Sequence, residues 1–428
     1  MSNSQDRVAI VNGARTPFAR ARTVYAKMPP SALGGVVLRE CIARSDLDPK
    51  LVDEVYFGIV SAPSEGSNVA REALFDSGLP ATIAATTINR YCASAAEAAA
   101  GIAAKILAGQ IEIGIAGGVE SISSMRALFS QEATNYFQDI GRAKTPQQKF
   151  SHLAKFRPQL LAPHAPGIKE PTTGLTMGQS ADLMCRQFGV TRQEQDEFAV
   201  ASHLNAARAW EKGFYGTHVV PVATPDGKVV DRDTDIRADS SVEKLSNLRP
   251  VFYKDGTITA GNASPLTDGA SAVLLMTEKK ARELKLQQLG VIRSVVSVGV
   301  DIQKEPLLIG PAFAIPKALK MAGITMKDID LFEIHEAFAG QVLATIRAVE
   351  SKEWAKEKFG MDHAIGEIDR TRLNVNGGSI PLGHPFGATG GRLMLQTLHE
   401  LRARKKSLGL ISICAAGGLG LVMIVEAT

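Results

Sequence analysis

Cysteine and histidine are scarce in this chain, four and eight of 428 residues, so those beside small-residue turns are the first candidates for chemistry. Cys92 follows Thr87-Ile88-Asn89-Arg90-Tyr91 and precedes Ala93-Ser94-Ala95-Ala96-Glu97, the start of an Ala-rich helix running to Leu107. Unpaired N–H groups and the helix dipole at such a position favour a thiolate, which predicts a lowered thiol pKa and a nucleophile. The competing reading is a small core residue among alanines. His384 lies in Asn376-Gly377-Gly378-Ser379-Ile380-Pro381-Leu382-Gly383-His384-Pro385-Phe386-Gly387, where a bulky imidazole demands a reason. Cys414 ends the apolar run 409–413 and is followed by Ala415-Ala416-Gly417-Gly418, small residues that leave room for a ligand and free backbone N–H groups for an oxyanion. His335 ends Asp330-Leu331-Phe332-Glu333-Ile334, a strand-end position where sites commonly form. Taken singly, each is equally at home as a solvated loop histidine or a structural thiol.

Other chemistries lack their residues. There is no GxxxxGK, no third glycine to complete a dinucleotide loop at 417, 418 and 420, and no GxSxG elbow. His335-Glu336 is half of a zinc-protease motif, but position 339 is Ala where the second His belongs, so no metal site is expected. The four cysteines, Cys41, Cys92, Cys185 and Cys414, are too scattered for a disulfide framework and form no CxxC, which suits a reduced, cytoplasmic protein.

The elements that must hold these residues follow from pattern. Composition is that of an ordinary globular chain, 45% hydrophobic and 21% charged. Lys and Arg exceed Asp and Glu by 48 − 44 = 4, with no polybasic run, and aromatics make up only 6%. That balance fits an anionic small-molecule substrate and argues against nucleic acid. No apolar stretch reaches 18 residues, so no membrane span is expected. The chain starts close to its first strand and ends Glu426-Ala427-Thr428, so neither a signal or transit segment nor a peroxisomal address is expected. Strands are expected over 8–11, 54–60 and 111–116, with helices over 31–44 and 93–107 between them, the second entered from Thr87 to Tyr91 through Cys92. Residues 121–249 differ, with polar loops, prolines and a helix over 192–212. Between Ile140 and Lys169 stand six Lys/Arg and no Asp/Glu, either a solvated face or a docking surface for a partner or anionic lipid. Two stretches repeat weakly: a small-residue helix after Cys92 and another after His384, each leading to a strand that ends in Ala-Gly-Gly. This points to two similar halves about a pseudo-twofold axis.

Together these segments, with Arg15-Thr16-Pro17-Phe18, Asn89 to Ser94, Gly117-Gly118-Val119-Glu120-Ser121, Gly261 to Gly269, His335-Glu336-Ala337-Phe338, Gly383 to Gly387 and Cys414 to Gly420, resemble the thiolase family from Val8 to the last strand. The likeness is strongest to the thiolase (beta) subunit of bacterial fatty-acid β-oxidation complexes. It implies an α/β thiolase fold of two βαβαβαββ halves in five αβαβα layers. The first half would comprise 1–120 and 250–287, an inserted loop domain 121–249, and the second half 288–428. It implies 3-ketoacyl-CoA cleavage by CoA, with Cys92 as nucleophile, His384 activating it, Cys414 as acid and base, and His335 beside the oxyanion where many thiolases carry Asn. His335 would then add a pH dependence that Asn lacks. Backbone N–H groups of Cys92 and Ala416 would form an oxyanion hole, the methyl of Ala416 being tolerated at negative φ. Ser264, Met177 and Phe338 would line the thioester site. No cofactor is implied, CoA being a substrate. The resemblance further implies a homodimer or dimer of dimers and a hydratase/dehydrogenase alpha subunit as partner; peripheral contact with a membrane surface is an expectation from the basic stretch 140–169 alone. The same residues could run in reverse, as a biosynthetic acetyl-CoA acetyltransferase making acetoacetyl-CoA.

Overall fold

The computed structural model describes residues 7–63, 66–126, 128–162 and 169–428. Contacts within the chain group these into a large unit, up to Ser124 and from Met177 onward, and a small one, Met125–Thr176.

In the large unit nine strands form one path: β1 (Val8–Arg15), β2 (Glu54–Gly58), β3 (Ala84–Ile88), β4 (Ile113–Glu120), β5 (Thr267–Thr277), β6 (Gly290–Gly299), β7 (Leu331–Ile334), β8 (Leu408–Ala415) and β9 (Leu419–Ala427), in the order β7-β8-β9-β6-β1-β5-β4-β2-β3. The path is two similar halves joined at the short pairing of Ala9 and Ile10 with Val291 and Gly290. In the first half β1, β5 and β4 are antiparallel neighbours and β4, β2 and β3 run parallel. In the second half β6, β9 and β8 are antiparallel and β8 and β7 parallel. Where the first half has β3, the second has a single parallel bridge, Phe332 to Leu373. That correspondence gives the internal repetition its structural meaning: Cys92 follows β3, and His384 follows the bridge at Leu373.

Five layers result. Helices α1 (Pro30–Ser45) and α2 (Val69–Ser77) cover one face of the first half, over an apolar cluster of Leu33, Val37, Leu38, Phe57 and Leu74. Helix α3 (Ser94–Leu107) is Ala-rich because it lies in the middle layer, sharing one buried cluster with Leu393, Leu398 and the inner faces of both half-sheets. Further along the chain come α4 (Gln131–Arg142), α5 (Pro146–Leu153), α6 (Met177–Gln187), α7 (Arg192–Glu211), α8 (Gly310–Ala322), α9 (Ala339–Glu350) and α10 (Thr389–Arg404). Of these α10 completes the middle layer, while α8 and α9 close the outer face of the second half. β1 and β4 run on, largely buried, past their apolar starts through Asn12, Gly13 and Arg15 and through Gly117, Gly118 and Glu120, polar and glycine residues that mark no strand in sequence, which is why the 8–11 expectation fell short of Arg15 and the 111–116 expectation short of Glu120, while the 54–60 expectation overran Gly58.

Within the 121–249 region, only 125–176 is a separate unit, and 177–249 belongs to the larger one. The small unit carries α4, with a single buried residue, Ala133, and α5, which opens with a capping box between Thr145 and Gln148. Its aromatic rings gather together: Phe129 and Phe137 lie 5.5 Å apart, and Tyr136 and Phe156 lie 6.0 Å apart. Among the described residues no helix is long and apolar enough to cross a membrane.

Candidate active site

Cys92 is delivered by the turn between β3 and α3. Tyr91 takes a left-handed φ of 47°. Ser94 locks the turn by accepting the N–H of Arg90 at 2.8 Å and donating to the carbonyl of Tyr91 at 2.6 Å. The helix begins at Ser94, with Ala93 as a cap that has no side-chain hydrogen bond, so Cys92 stands one residue ahead of the cap. Its thiol is not lowered as its position near a helix start suggested: burial pushes it up, to about 12, and backbone N–H groups of Cys92 itself and Ala416 only partly oppose this. Desolvation outweighs the dipole here, and the resting group is a neutral thiol.

His384 follows Gly383, at φ 100°, and pairs with Leu266 in a parallel bridge. The short helical turn Phe386–Ala388 after it packs against β4, where a Cβ at Gly118 would come within 2.0 Å of the Gly387 carbonyl. Glu120 fastens the same turn: its carboxylate accepts from the N–H groups of Val60, Ser61 and Gly387 at 3.0, 2.9 and 3.0 Å. Burial nonetheless pushes Glu120 up to about 7.

His335 continues the ladder from β7, its N–H donating to the Ser412 carbonyl at 2.8 Å. The next residue, Glu336, is buried and accepts from Ser202 at 2.8 Å, Asn374 at 2.7 Å and the N–H of Ile380 at 3.0 Å. The carboxylate that stands in a half-motif for zinc thus serves as the anchor of the 374–380 loop.

These elements bring Cys92, His335 and His384 together, with the sulfur and one ring nitrogen of each histidine all within 4.8 Å of one another. The two imidazoles face each other through Nε2 at 3.2 Å. His384 Nδ1 lies 2.6 Å from the Thr389 hydroxyl, which donates to the Pro385 carbonyl at 3.1 Å. His335 Nδ1 lies 2.8 Å from Ser379 Oγ, which accepts from Arg392 at 2.9 Å. One assignment of protons satisfies every contact. Ser379 donates to His335 Nδ1, His335 donates through Nε2 to His384 Nε2, and His384 donates through Nδ1 to Thr389. Both rings are held neutral. Burial, then the charge of Arg392, pushes His384 down to about 3, and burial and His384 push His335 well below the usual histidine range. Protonation of His335 is thereby moved away from neutrality, and the pH dependence expected of it moves with it.

Cys414 is buried near the end of β8, opposite Gly420 of β9. Burial raises its thiol well above the ordinary value, and the neighbouring Cys92 raises it further. Beyond it, Gly417 and Gly418 turn the chain with φ of 73° and 70°, while Ala416 keeps a non-positive φ. Ser264 is bound to the loop after His335, its N–H and hydroxyl both donating to the Ala337 carbonyl, at 3.0 and 3.1 Å. Phe338 and Cys414 share one apolar cluster, against which Met177, the first residue of α6, packs. Ser379, Thr389 and Arg392 were given no role from sequence, and Glu120 and Glu336 appeared there only within longer motif segments. For the first three a polar residue inside a small-residue helix or Gly-rich loop was the available signal.

The family descriptions "Thiolase, N-terminal domain" and "Thiolase, C-terminal domain" match residues 8–279 and 286–427. A protein of Pectobacterium atrosepticum named 3-ketoacyl-CoA thiolase is 44% identical over 425 residues, 99% of this chain and 97% of that one. One of Escherichia coli O157:H7 with the same name is 42% identical over 424 residues, again 99% and 97%. Among solved structures, the Bacillus anthracis acetyl-CoA acetyltransferase superposes with a TM-score of 0.84 at 34% identity, covering 100% of both chains. Human mitochondrial 3-ketoacyl-CoA thiolase does so with 0.83 at 28%, covering 99% of both. The two half-sheets around a middle helical layer, the two thiols and paired histidines at their junction, and these full-length likenesses make the chain a member of the thiolase family.

Proposed function

We propose that the chain is a 3-ketoacyl-CoA thiolase, an acyltransferase that cleaves 3-ketoacyl-CoA with CoA in fatty-acid β-oxidation. The observation that carries the reading is the meeting of Cys92, His335 and His384 within 4.8 Å, with Cys414 and the Ala416 N–H beside Cys92.

As its sulfur attacks the 3-keto carbon, Cys92 gives its proton to His384 Nε2 in place of the hydrogen bond from His335 Nε2–H, which turns to the substrate oxygen. Neutral partners suit this, because a half-buried thiol with a raised pKa is a strong nucleophile once its proton leaves in the same step. The oxyanion is held by the N–H groups of Cys92 and Ala416. Collapse breaks the bond between C2 and C3, leaving an acyl thioester on Cys92 and the enolate of acetyl-CoA. The enolate oxygen is held at His384 and His335, and C2 takes the proton of Cys414. The Cys414 thiolate then removes the proton of incoming CoA, whose sulfur attacks the acyl-Cys92 carbonyl. Collapse releases the shortened acyl-CoA, and Cys92 recovers its proton from His384. Ser264, Met177 and Phe338 are proposed to line the thioester path. No cofactor takes part.

The test is CoA-dependent cleavage of 3-ketoacyl-CoA substrates of four to sixteen carbons by the purified protein. Faster cleavage of long chains is expected. Reaction with acetoacetyl-CoA alone would instead favour biosynthetic condensation to acetoacetyl-CoA by the same residues.

The cytoplasm is the proposed compartment, since Cys41, Cys92, Cys185 and Cys414 are all free thiols and the chemistry needs two of them. A homodimer or dimer of dimers is proposed, together with a hydratase/dehydrogenase alpha subunit that docks on the small unit. That unit carries the basic stretch 140–169 and the exposed rings of Phe129 and Phe150. Neutralising Arg142, Lys144 and Lys149 is expected to reduce co-purification of that subunit at least tenfold. Unchanged co-purification with lost vesicle binding would assign the surface to an anionic membrane instead.

A further inference from the structure

The spacing of three donors in this pocket has a second chemical meaning. Around a tetrahedral zinc ion two histidine nitrogens lie about 3.3 Å apart, and a cysteine sulfur about 3.5 Å from each, given metal bonds of about 2.0 Å to nitrogen and about 2.3 Å to sulfur. Here His335 Nε2 and His384 Nε2 are 3.2 Å apart. The sulfur of Cys92 falls inside the same 4.8 Å cluster, so closing the set requires a sulfur movement of roughly 1 Å. The outer nitrogens are already tied as metal-bound histidines are tied: His384 Nδ1 to Thr389 at 2.6 Å and His335 Nδ1 to Ser379 at 2.8 Å. Rotation of the Ser379 hydroxyl lets His335 carry its proton on Nδ1, which frees both Nε2 lone pairs to face inward. Two imidazoles and a thiolate are soft to borderline ligands, suited to zinc rather than to magnesium or calcium.

We propose that Cys92, His335 and His384 form a three-ligand site for a thiophilic divalent cation, Zn²⁺ or Co²⁺, whose occupancy blocks the enzyme reversibly. The fourth position is taken by water. Binding replaces the thiol proton of Cys92, which leaves to the buffer, so one proton is released for each metal bound. The metal then holds both the nucleophile and the lone pair needed to deprotonate it. The inhibition rests on the thiolase reading, whereas the binding stands without it.

The experiment titrates Co²⁺ alone into the full-length, metal-stripped protein kept reduced with a non-thiol reductant, and follows absorbance. Expected are a thiolate-to-cobalt charge-transfer band and the strong visible bands of tetrahedral cobalt, saturating at one per chain and bleached by Zn²⁺. Cys92→Ser should abolish the charge-transfer band, and His335→Asn or His384→Asn should weaken binding at least tenfold. In the wild type, alkylation of Cys92 by iodoacetamide should prevent binding, and Zn²⁺ should slow that alkylation at least tenfold. This arm serves even where a variant fails to fold. Thiolysis by the metal-free protein is measured in parallel. An active enzyme with no charge-transfer band, or a band that survives both Cys92→Ser and alkylation, overturns the metal site and leaves the thiolase reading intact. The expected band on a protein that cleaves no 3-ketoacyl-CoA supports the metal site and overturns the thiolase reading.

Discussion

At the scale of single residues, the two reactive thiols are separable by what each leaves behind. Cys92→Ser is expected to lower thiolysis by about a thousandfold or more, because the hydroxyl is a far weaker nucleophile in the same place. No acyl-protein should then be seen by mass spectrometry. Cys414→Ala should also stop turnover, yet still allow acyl transfer onto Cys92 from an acyl-CoA, and full activity in this variant would remove its acid and base role. A subtler residue is Thr389, whose hydroxyl accepts the Nδ1 proton of His384 at 2.6 Å. Thr389→Val keeps the shape and loses the acceptor, so the ring is free to turn or change tautomer. We expect kcat to fall roughly tenfold to a hundredfold with KM little changed, the signature of a misplaced catalytic group in an intact binding site.

At the scale of elements, the site depends on how closely backbone segments approach. The turn at 386–388 rests on β4 because Gly118 has no side chain, and a Cβ there would lie 2.0 Å from a backbone oxygen that cannot swing aside. Gly118→Ala should therefore displace the turn and His384 with it. The expected cost is about 1–3 kcal/mol of stability, typical of overpacking, together with a fall in kcat of at least tenfold. Gly141→Ala on α4 is the matched control, since nothing lies within 4 Å of its added methyl. Thermal denaturation and steady-state rates of the two variants check this, and equal behaviour would show that the approach at Gly118 is dispensable. The same logic explains Glu120 and Glu336: Glu120 gathers the backbone N–H groups of Val60, Ser61 and Gly387, and Glu336 gathers the Ile380 N–H with the side chains of Ser202 and Asn374, so each fixes the place of a segment rather than reacting.

At the scale of the whole molecule, pH acts through buried histidines that take no part in the reaction. His203 is buried and accepts the N–H of Arg237 at 3.2 Å through Nδ1, and burial followed by the charge of Arg237 pushes it down to about 4. Between that value and the usual 6.5 the unfolded chain binds a proton that the folded one refuses. Stability therefore rises with pH across this window and is lost as pH falls through it. The loss attributable to His203 is on the order of 3 kcal/mol at most. His399, also pushed to about 4, adds in the same direction. Burial also raises Glu120 to about 7 and Glu333 to about 8, carboxyls that act in the opposite direction, so the check is a difference: from pH 7 to 4 the melting temperature of the wild type should fall relative to that of His203→Gln. An unaltered slope would show that His203 titrates normally in the folded protein.

Much was legible without coordinates. The four reactive candidates, the two similar halves and the glycine-rich turns are local features, written in residue type and spacing, so Cys92, His335, His384 and Cys414 stand out before any fold is known. Strand ends were less legible. The far ends of β1 and β4 hold polar and glycine residues that mark no strand in sequence, and β1 runs to Arg15 only because Ser271 lies opposite. What the tertiary structure alone decided is charge and assembly. The position of Cys92 near a helix start argued for a lowered thiol pKa, yet burial reversed the sign, because desolvation is a property of everything packed around the sulfur rather than of its neighbours in sequence. The pairing of two imidazoles at 3.2 Å joins His335, at the end of β7, to the stretch 379–392, which carries His384 and the Ser379, Thr389 and Arg392 contacts that set the protons. No spacing along the chain encodes such a meeting. It exists only once two half-sheets have closed on the helices between them.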